Sequence, residues 1–384
     1  MKETQQFTMG ELFTLEYGKP VPDKESSDGS VPVYGTNGQI GTSHLKPLCN
    51  HPSVILGRKG AYRGVHYSNR PFSVIDTAFY IELITDKVDI KWLYYKLLTY
   101  DINSMDSGSA IPSTDRYQIY SLPIEVPSIS TQRRIVDILD SITTKIELNR
   151  QINDNLEQQA LALYKSWFVD FEPFKDEEFI DSELGMIPKG WAIGKIEDLT
   201  LRMASGGTPK SMNQEFYSGD ICWFTTKELV DGFLIDSEKH ISQSAIDNSA
   251  AKIFPKGSVL MAIYAAPTVG RLGILSCNAA FNQAAVALIP KVGIGSGYIY
   301  LTLYNERNNF NNLSSGAAQQ NLNVGLVKNY PTRIPSQEVL NNFETKISPI
   351  FMNIERNQRE INNLTRLRDT LLPKLMSGEL KLTK

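Results

Sequence analysis

Cysteine and histidine are scarce in this chain. Three cysteines (Cys49, Cys222, Cys277) and four histidines (His44, His51, His66, His240) are scattered over 384 residues. There is no Cys-x-x-Cys pair, and no histidine stands at ligand spacing from another. Neither a disulfide framework nor a metal site is therefore expected. No apolar run reaches the roughly 18 residues that a membrane span needs. The opening MKETQQFTMGELF is polar and lacks an apolar signal core, so a cytoplasmic location with no membrane partner is expected.

Enzyme signatures are missing too. The chain has no Gly-x4-Gly-Lys-[Ser/Thr] loop and no Gly-x-Ser-x-Gly elbow. It has no Asn/Asp-Pro-Pro-Tyr/Phe string of the kind that holds an amino group for methylation, and no paired-carboxylate cluster. The run Gly293-Ile-Gly295-Ser-Gly297 has the wrong spacing for a dinucleotide loop and reads as a turn. No catalytic residue is assigned.

Positive charge is not in excess either. The net charge is −3 and the pI about 5.9, whereas phosphate contacts require Lys and Arg. That average does not exclude nucleic acid, because a duplex meets a local patch and a partner can supply part of the field. The composition, 41% hydrophobic and 21% charged, is that of a globular protein, and the length suggests two or three domains.

What the chain does have is an internal repeat. Residues 108–127 read GSAIPSTDRYQIYSLPIEVP and residues 316–335 read GAAQQNLNVGLVKNYPTRIP. Gly108, Ala110, Pro123 and Pro127 fall on Gly316, Ala318, Pro331 and Pro335 at one offset of 208. Upstream, Tyr94 matches Tyr300 and Ala78 matches Ala284 at offset 206, and the runs SVIL and SVLM at Val54 and Val259 match at offset 205. Phe7–Gly10 resembles Trp191–Gly194 at offset 184, and Asp76 is aligned with Asn282 as a structural pair. The drift places an insertion within 225–256 of the second copy. The period is too long for a solenoid and indicates one domain plus one helix, twice.

Each copy ends in a helical stretch. Residues 129–172 hold no Pro or Gly, and apolar residues recur at helical spacing. Thr131 to Phe168 would span roughly 57 Å at 1.5 Å per residue. One heptad frame places Ile135, Ile142, Asn149, Leu156 and Leu163 on a seam. The offset of 208 gives Phe343, Ile350, Asn357, Leu364 and Leu371 as the matching set. A polar Asn in an apolar seam sets register. Asn149 and Asn357 are expected to face each other across a paired seam; the alternative is two helices packed separately on their own domains with both Asn at the rim. Pro349 should kink the second helix or mark its start.

The expected fold is α/β in the α+β sense. Two globular domains with mixed or mainly β cores are separated by two long antiparallel helices in a pseudo-two-fold repeat. The boundaries are 1–128 for the first domain, 129–172 for the central helix, 173–190 for an acidic linker broken by Pro173, Gly185, Pro188 and Gly190, 191–335 for the second domain, and 336–384 for the C-terminal helix. Aromatic helices at 92–100 and 298–304 read as core.

Binding chemistry concentrates in polar turns. Between Gly57 and Gly64 the chain places Arg58, Lys59, Tyr62 and Arg63. Arg pairs with guanine O6 and N7, and glycines let the backbone approach a phosphate. The corresponding stretch of the second copy holds Tyr264, Thr268 and Arg271. Earlier turns offer Thr36, Asn37 and Gln39 in the first copy and Thr208, Lys210, Thr225, Thr226 and Lys227 in the second. Asn and Gln can read adenine. The competing account is ordinary surface turns with solvated arginines.

Three strings carry a family resemblance: Leu184-Gly-Met-Ile-Pro-Lys-Gly-Trp191, Ser205-Gly-Gly-Thr-Pro209 and Leu371-Leu-Pro-Lys-Leu-Met-Ser-Gly-Glu379. Together with Pro123 to Ile135, containing Gln-Arg-Arg-Ile, the chain resembles the specificity subunits of Type I restriction-modification systems (the HsdS family) over nearly its full length. The resemblance implies two target recognition domains, each reading half of a bipartite double-stranded DNA site. It implies conserved helices that set the spacer and dock methyltransferase (M) subunits, two of them by the repeat, with restriction (R) subunits joining the complex. This chain would be non-catalytic and hold no cofactor. S-adenosylmethionine would sit on the methyltransferase partner, with ATP and Mg used by the nuclease partner. The complex would methylate adenine and cleave DNA. Two other classes stay in view: a coiled-coil scaffold that binds no DNA, and a self-contained methyltransferase or nuclease.

Overall fold

A computed structural model describes residues 4–105, 112–264, 268–315 and 321–382. Gly108, Ala110, Gly316 and Ala318 of the repeat lie outside the described residues. The chain divides into two compact units, Met1–Lys145 with Leu364–Lys384, and Ile146–Asn363. Each long helix is divided between the units.

In the first unit, β1 (Gln5–Thr8), β2 (Phe13–Tyr17), β3 (Val31–Gly35), β4 (Gly38–Ser43), β5 (Ser53–Gly57), β6 (Val65–Ser68), β7 (Ser73–Val74) and β8 (Ala78–Leu83) precede α1 (Ile90–Leu97), α2 (Arg116–Ser121) and β9 (Pro123–Val126). The strands form sheets in the orders β2-β8-β5-β6, β4-β3-β7 and β1-β9. The run SVILG of β5 is buried at every position, as its near-continuous apolar sequence requires of a strand covered on both faces. Asp89 caps α1 by accepting from the Lys91 and Trp92 amides, and Trp92, Leu93, Tyr95 and Leu97 fill the core beside Phe13, Leu56 and Ile81.

The second unit repeats this plan. A short hairpin, β10 (Phe179–Ile180) and β11 (Ile187–Pro188), leads to β12 (Ala192–Lys195), β13 (Thr200–Ser205), β14 (Ile221–Phe224), β15 (Phe233–Leu234) and β16 (Lys239–Ile241). Then come α4 (Gln243–Asn248), β17 (Val259–Ala262), β18 (Leu272–Leu275), β19 (Ala280–Phe281), β20 (Ala285–Pro290), α5 (Ser296–Asn305), α6 (Arg307–Ser315), α7 (Val324–Lys328) and β21 (Pro331–Ile334). The sheet orders are β13-β20-β17-β18-β15, β16-β14-β19 and β12-β21. Strand for strand this is the first unit with two additions, the β10–β11 hairpin and the strand β15, which pairs parallel to β18. The short β3–β7 and β14–β19 ladders are both parallel.

Strand register refines the alignment. Thr8 pairs with Pro123 and Lys195 with Pro331, so Thr8 corresponds to Lys195 at offset 187, correcting the 184 expected from Phe7–Gly10. Both positions lead into a one-turn helix whose third residue, Glu11 or Asp198, accepts from the backbone amide behind it. The Ile75 amide donates to Tyr34 O, and the Asn282 amide donates to Phe224 O. Ile75 therefore corresponds to Asn282, and Asp76 to Gln283 rather than to Asn282. Most of the inserted residues lie between β14 and β17, one part before β16 and one part after it.

Two long helices complete the chain, α3 (Ile129–Phe168) and α8 (Gln337–Ser377). The helix α8 runs through Pro349 without a break, contrary to the expected kink or start. Proline forfeits one backbone bond there, but Phe343, Ile347, Phe351 and Ile354 are buried on either side of it, and that packing holds the helical path. In the second unit α3 and α8 run antiparallel, and the seam differs from expectation. Asn149 Nδ2 donates to Glu360 Oε2 at 2.9 Å, and Asn357 Nδ2 donates to Asn153 Oδ1 at 2.9 Å. In an antiparallel pair Asn149 lies one helical turn away from Asn357 and meets Glu360 instead. Ile135, Ile142 and Phe343 are buried on the seam, whereas Leu156, Leu163, Ile350, Leu364 and Leu371 are half-buried. At the start of α3, Gln132 is fully buried: its Nε2 donates to Lys87 O and Pro127 O, and its Oε1 accepts from the Asp89 amide. It fixes α3 to the first unit.

Candidate nucleic-acid interface

In the first unit four segments meet at one end of the two larger sheets. They are the β3–β4 turn with Thr36 and Asn37, the β5–β6 loop from Arg58 to Gly64, the β7–β8 turn with Asp76 and Thr77, and residues 112–115 ahead of α2. Backbone hydrogen bonds tie them together: Gly64 N to Thr36 O at 3.0 Å, Arg58 N to Thr77 O at 2.8 Å, and Gly60 N to Pro112 O at 3.0 Å. The Thr114 hydroxyl donates to Gly57 O at 2.9 Å. A loop held at this many points presents its side chains on a fixed platform.

Arg58 leaves that platform with its guanidinium 4.8 Å from the centre of the Tyr17 ring, donating to Asp76 O at 2.8 Å. The Arg116 guanidinium lies 5.3 Å from the same ring and donates to the Tyr117 hydroxyl at 3.1 Å. Lys59 Nζ is 3.6 Å from Asp76. Two guanidinium groups thus flank one exposed tyrosine, and Lys59 follows Arg58 in the chain, paired with Asp76. A chain of net charge −3 can thus concentrate positive charge locally. Tyr62 and Tyr117 are 63% and 66% exposed beside it, and the Asn37 side chain is exposed. Gln39 is exposed on β4, where its amide donates to Gly41 O.

Two expected contacts turn inward. Arg63 is only 2% exposed; its guanidinium donates to Gly60 O at 3.1 Å and Asn103 O at 2.7 Å. It braces the loop from inside and is withdrawn from the DNA-contacting set. The Thr36 hydroxyl oxygen is buried against the Gly57 backbone, so that hydroxyl is not presented at the surface. The glycines serve the same tight packing: a Cβ on Gly57 would meet Thr36 Oγ1 and Arg63 Cα within 3 Å, and one on Gly64 would meet the His66 ring. His66 Nε2 lies 3.3 Å from Thr36 O, and burial lowers the His66 pKa below its ordinary value.

In the second unit the equivalent end holds the segment after β13, the segment after β14, the β17–β18 loop and residues 282–284. Gly207 N donates to Phe281 O and Ile263 N to Ala284 O, while Thr208 donates to Gln283 Oε1. Lys210, Lys227 and Thr208 are exposed, and Thr226 is half-buried. Thr225 is committed to its own turn, since its hydroxyl and amide both donate to Glu228 Oε2, and its side chain leaves the reading set. Tyr264 is partly exposed, the Thr268 hydroxyl donates to Tyr264 O at 3.2 Å, and Arg271 N donates to Thr268 O. Ala265, Ala266 and Pro267 lie outside the described residues.

Sequence reasoning missed Tyr17, Arg116, Tyr117 and Gln283. Arg116-Tyr117 lies within the repeat string itself, where the prolines are the more visible signal. Tyr17 is the last residue of β2, and its place beside Arg58 follows only from the β2–β8–β5 pairing.

The two copies share a scaffold and differ at the loops. Gly57 pairs with Ala78, and Ala262 with Ala285. Arg58 therefore corresponds to Ile263, which is buried, and Lys59 to Tyr264. Thr36-Asn37 corresponds to Thr226-Lys227.

A duplicated α/β domain with a long helix after each copy defines the class, and comparison with known proteins defines the family. The sequence profile of the family described as "Type I restriction modification DNA specificity domain" matches residues 1–158 and 188–368. The chain is 30% identical over 304 residues to the Type I restriction enzyme MjaIX specificity subunit of Methanocaldococcus jannaschii, covering 77% of this chain and 70% of that one. It is 27% identical over 348 residues to the HindI specificity subunit of Haemophilus influenzae, covering 75% and 74%. The crystal structure of a Type I restriction-modification S subunit from M. genitalium superposes with TM-score 0.65 at 16% identity, over 100% of this chain and 97% of that one, so the fold is shared. The chain belongs to the Type I restriction-modification DNA specificity family.

Proposed function

We propose that each unit reads one half of a bipartite DNA site and that the two halves differ in sequence. The observation that carries this is the contrast between the copies: one scaffold built twice, with Arg58, Lys59, Arg116 and Asn37 at the reading end of one copy and Tyr264, Gln283, Lys227 and Lys210 at the other. Arg and Lys pair with guanine and with phosphate, Asn and Gln with adenine, so different side chains on equal platforms select different bases.

In this reading α3 and α8 act as the spacer. Forty residues of helix measure about 60 Å, roughly one and a half turns of duplex. The helices also dock methyltransferase subunits, two by the repeat, and restriction subunits join through them. The chain is then an adaptor without a catalytic site. S-adenosylmethionine belongs to the methyltransferase partner, and ATP with Mg to the nuclease partner.

The test is selection from random duplex DNA by the chain reconstituted with its methyltransferase. Enrichment of a split motif with unlike halves supports the reading. Recovery of unselected sequence, retained only at low salt where phosphate contacts are strongest, contradicts it and leaves a sequence-indifferent binder.

A further inference from the structure

Cys222, Asp236, His240 and Cys277 are spread over 56 residues of sequence, and the fold of the second unit brings them to one place. Cys222 on β14 and His240 on β16 are direct cross-strand partners. Cys222 Sγ lies 3.7 Å from His240 Nε2 and 3.7 Å from Asp236 Oδ1, and His240 Nε2 lies 3.0 Å from Asp236 Oδ1. Cys277, in the turn between β18 and β19, sets its thiol against that of Cys222.

These distances suit an ion. A tetrahedral zinc bound by sulfur at about 2.3 Å and by nitrogen or oxygen at about 2.0–2.2 Å separates its ligands by roughly 3.3–3.8 Å. Three ligand atoms already stand near that spacing; Cys277 lies next to Cys222 but outside the trio, and its thiol would swing in to take the fourth corner. The carboxylate is oriented from behind, since Asp236 Oδ1 also accepts from the Ser237 amide at 3.0 Å; such support from the next layer is typical of metal ligands. Cys222, Asp236 and His240 are all partly exposed, which leaves an ion a way in.

We propose that Cys222, Asp236, His240 and Cys277 form a structural site for a tetrahedral, thiolate-preferring divalent metal, zinc in the first instance. The site clips the inserted segment of the second unit to its sheet. Asp236 and His240 belong to the connection between β14 and β17 that holds the inserted residues, and Cys222 and Cys277 belong to the shared scaffold. The first unit lacks the site: the cross-strand pair equivalent to Cys222 and His240 is Pro32 and Thr42. Metal binding releases the thiol protons. Without metal, burial and then the neighbouring Cys222 push the Cys277 thiol up to about 11.

Among the described residues a second trio, Cys49, His51 and Glu82, gathers in the first unit, but its geometry is wrong. Cys49 Sγ is almost equidistant from the two ring nitrogens of His51, at 3.8 and 3.7 Å. It therefore does not lie along the lone pair of the nitrogen that faces Glu82, where an ion would have to sit.

The experiment uses the full chain, reduced, stripped with chelator and titrated with cobalt(II), whose tetrahedral thiolate complexes absorb characteristically. One equivalent should produce visible d–d bands and a near-ultraviolet sulfur-to-cobalt charge-transfer band, and zinc should bleach both. Cys222→Ser and His240→Ala should abolish the signal. Cys49→Ser should keep it, and His240→Cys should keep it with a stronger charge-transfer band, which separates loss of a ligand from loss of fold. No charge-transfer band in the native chain, a band unchanged in Cys222→Ser and His240→Ala, or a band lost only in Cys49→Ser would each overturn the assignment.

Discussion

Asn153 on α3 and Asn357 on α8 face each other in the second unit, the amide of Asn357 donating to the carbonyl oxygen of Asn153 at 2.9 Å. Both are almost fully buried. Removing Asn357 leaves the buried Asn153 side-chain oxygen without that donor, while the Asn153 amide still donates to Ile354 O. Asn357→Leu should therefore destabilise the chain by about 1–3 kcal/mol. The double variant Asn153→Leu/Asn357→Leu should recover most of that loss, because no polar group is left unpaired. Urea melts of the four forms give the coupling directly, and additive losses would contradict the pairing.

Arg58 and Arg63 sit five residues apart in one loop and should behave as opposites. Arg63→Ala removes a buried guanidinium that holds two backbone carbonyls and should lower stability by about 1–3 kcal/mol. Arg58→Ala should leave the melting temperature nearly unchanged and weaken recognition of one half-site by about 1–3 kcal/mol. Thermal melts paired with binding to matched and mismatched half-sites separate the two. Equal thermal losses would contradict the inward assignment of Arg63.

On the proposed reading Lys59 and Arg116 meet phosphate. Replacing either with Ala should make the slope of log K against log salt shallower by about 0.9 for each phosphate that the side chain neutralises, with little change in sequence preference. Binding isotherms over a salt series check this. A slope equal to that of the parent would remove the residue from the interface.

His66 gives the first unit a pH dependence with a definite sign. Burial lowers its folded pKa below the ordinary 6.5, so the unfolded chain binds the proton more readily. The stabilisation is present above the unfolded pKa and is lost as pH falls through 6.5 toward the folded value. Melting temperatures at neutral pH and at mildly acidic pH should differ more for the parent than for His66→Gln, and equal differences would contradict it.

Much of the architecture is legible in the sequence because it repeats. Pro123 and Pro331 head the equivalent strands β9 and β21, and the apolar runs at Val54 and Val259 are β5 and β17. Periodicity locates both long helices, since burial on one stripe leaves a spacing in the sequence. Contacts set by tertiary pairing leave no such trace. Asn153 looks like any polar helical residue, because which Asn meets Asn357 depends on the antiparallel stagger. Arg63 looks like Arg58, because the loop's inward turn is dictated by Thr36 and Asn103, far away in the chain. The group of Cys222, Asp236, His240 and Cys277 is invisible to ligand spacing, because strand pairing and not sequence proximity assembles it.

The most direct test of two-site reading is methylation mapping of genomic DNA from cells that express this chain with its methyltransferase, beside cells expressing Arg58→Ala. The expected result is a modified bipartite motif that requires this chain, with unlike halves, and a relaxation confined to one half in the variant. A methylome indifferent to the chain, or a variant that changes both halves alike, would contradict it.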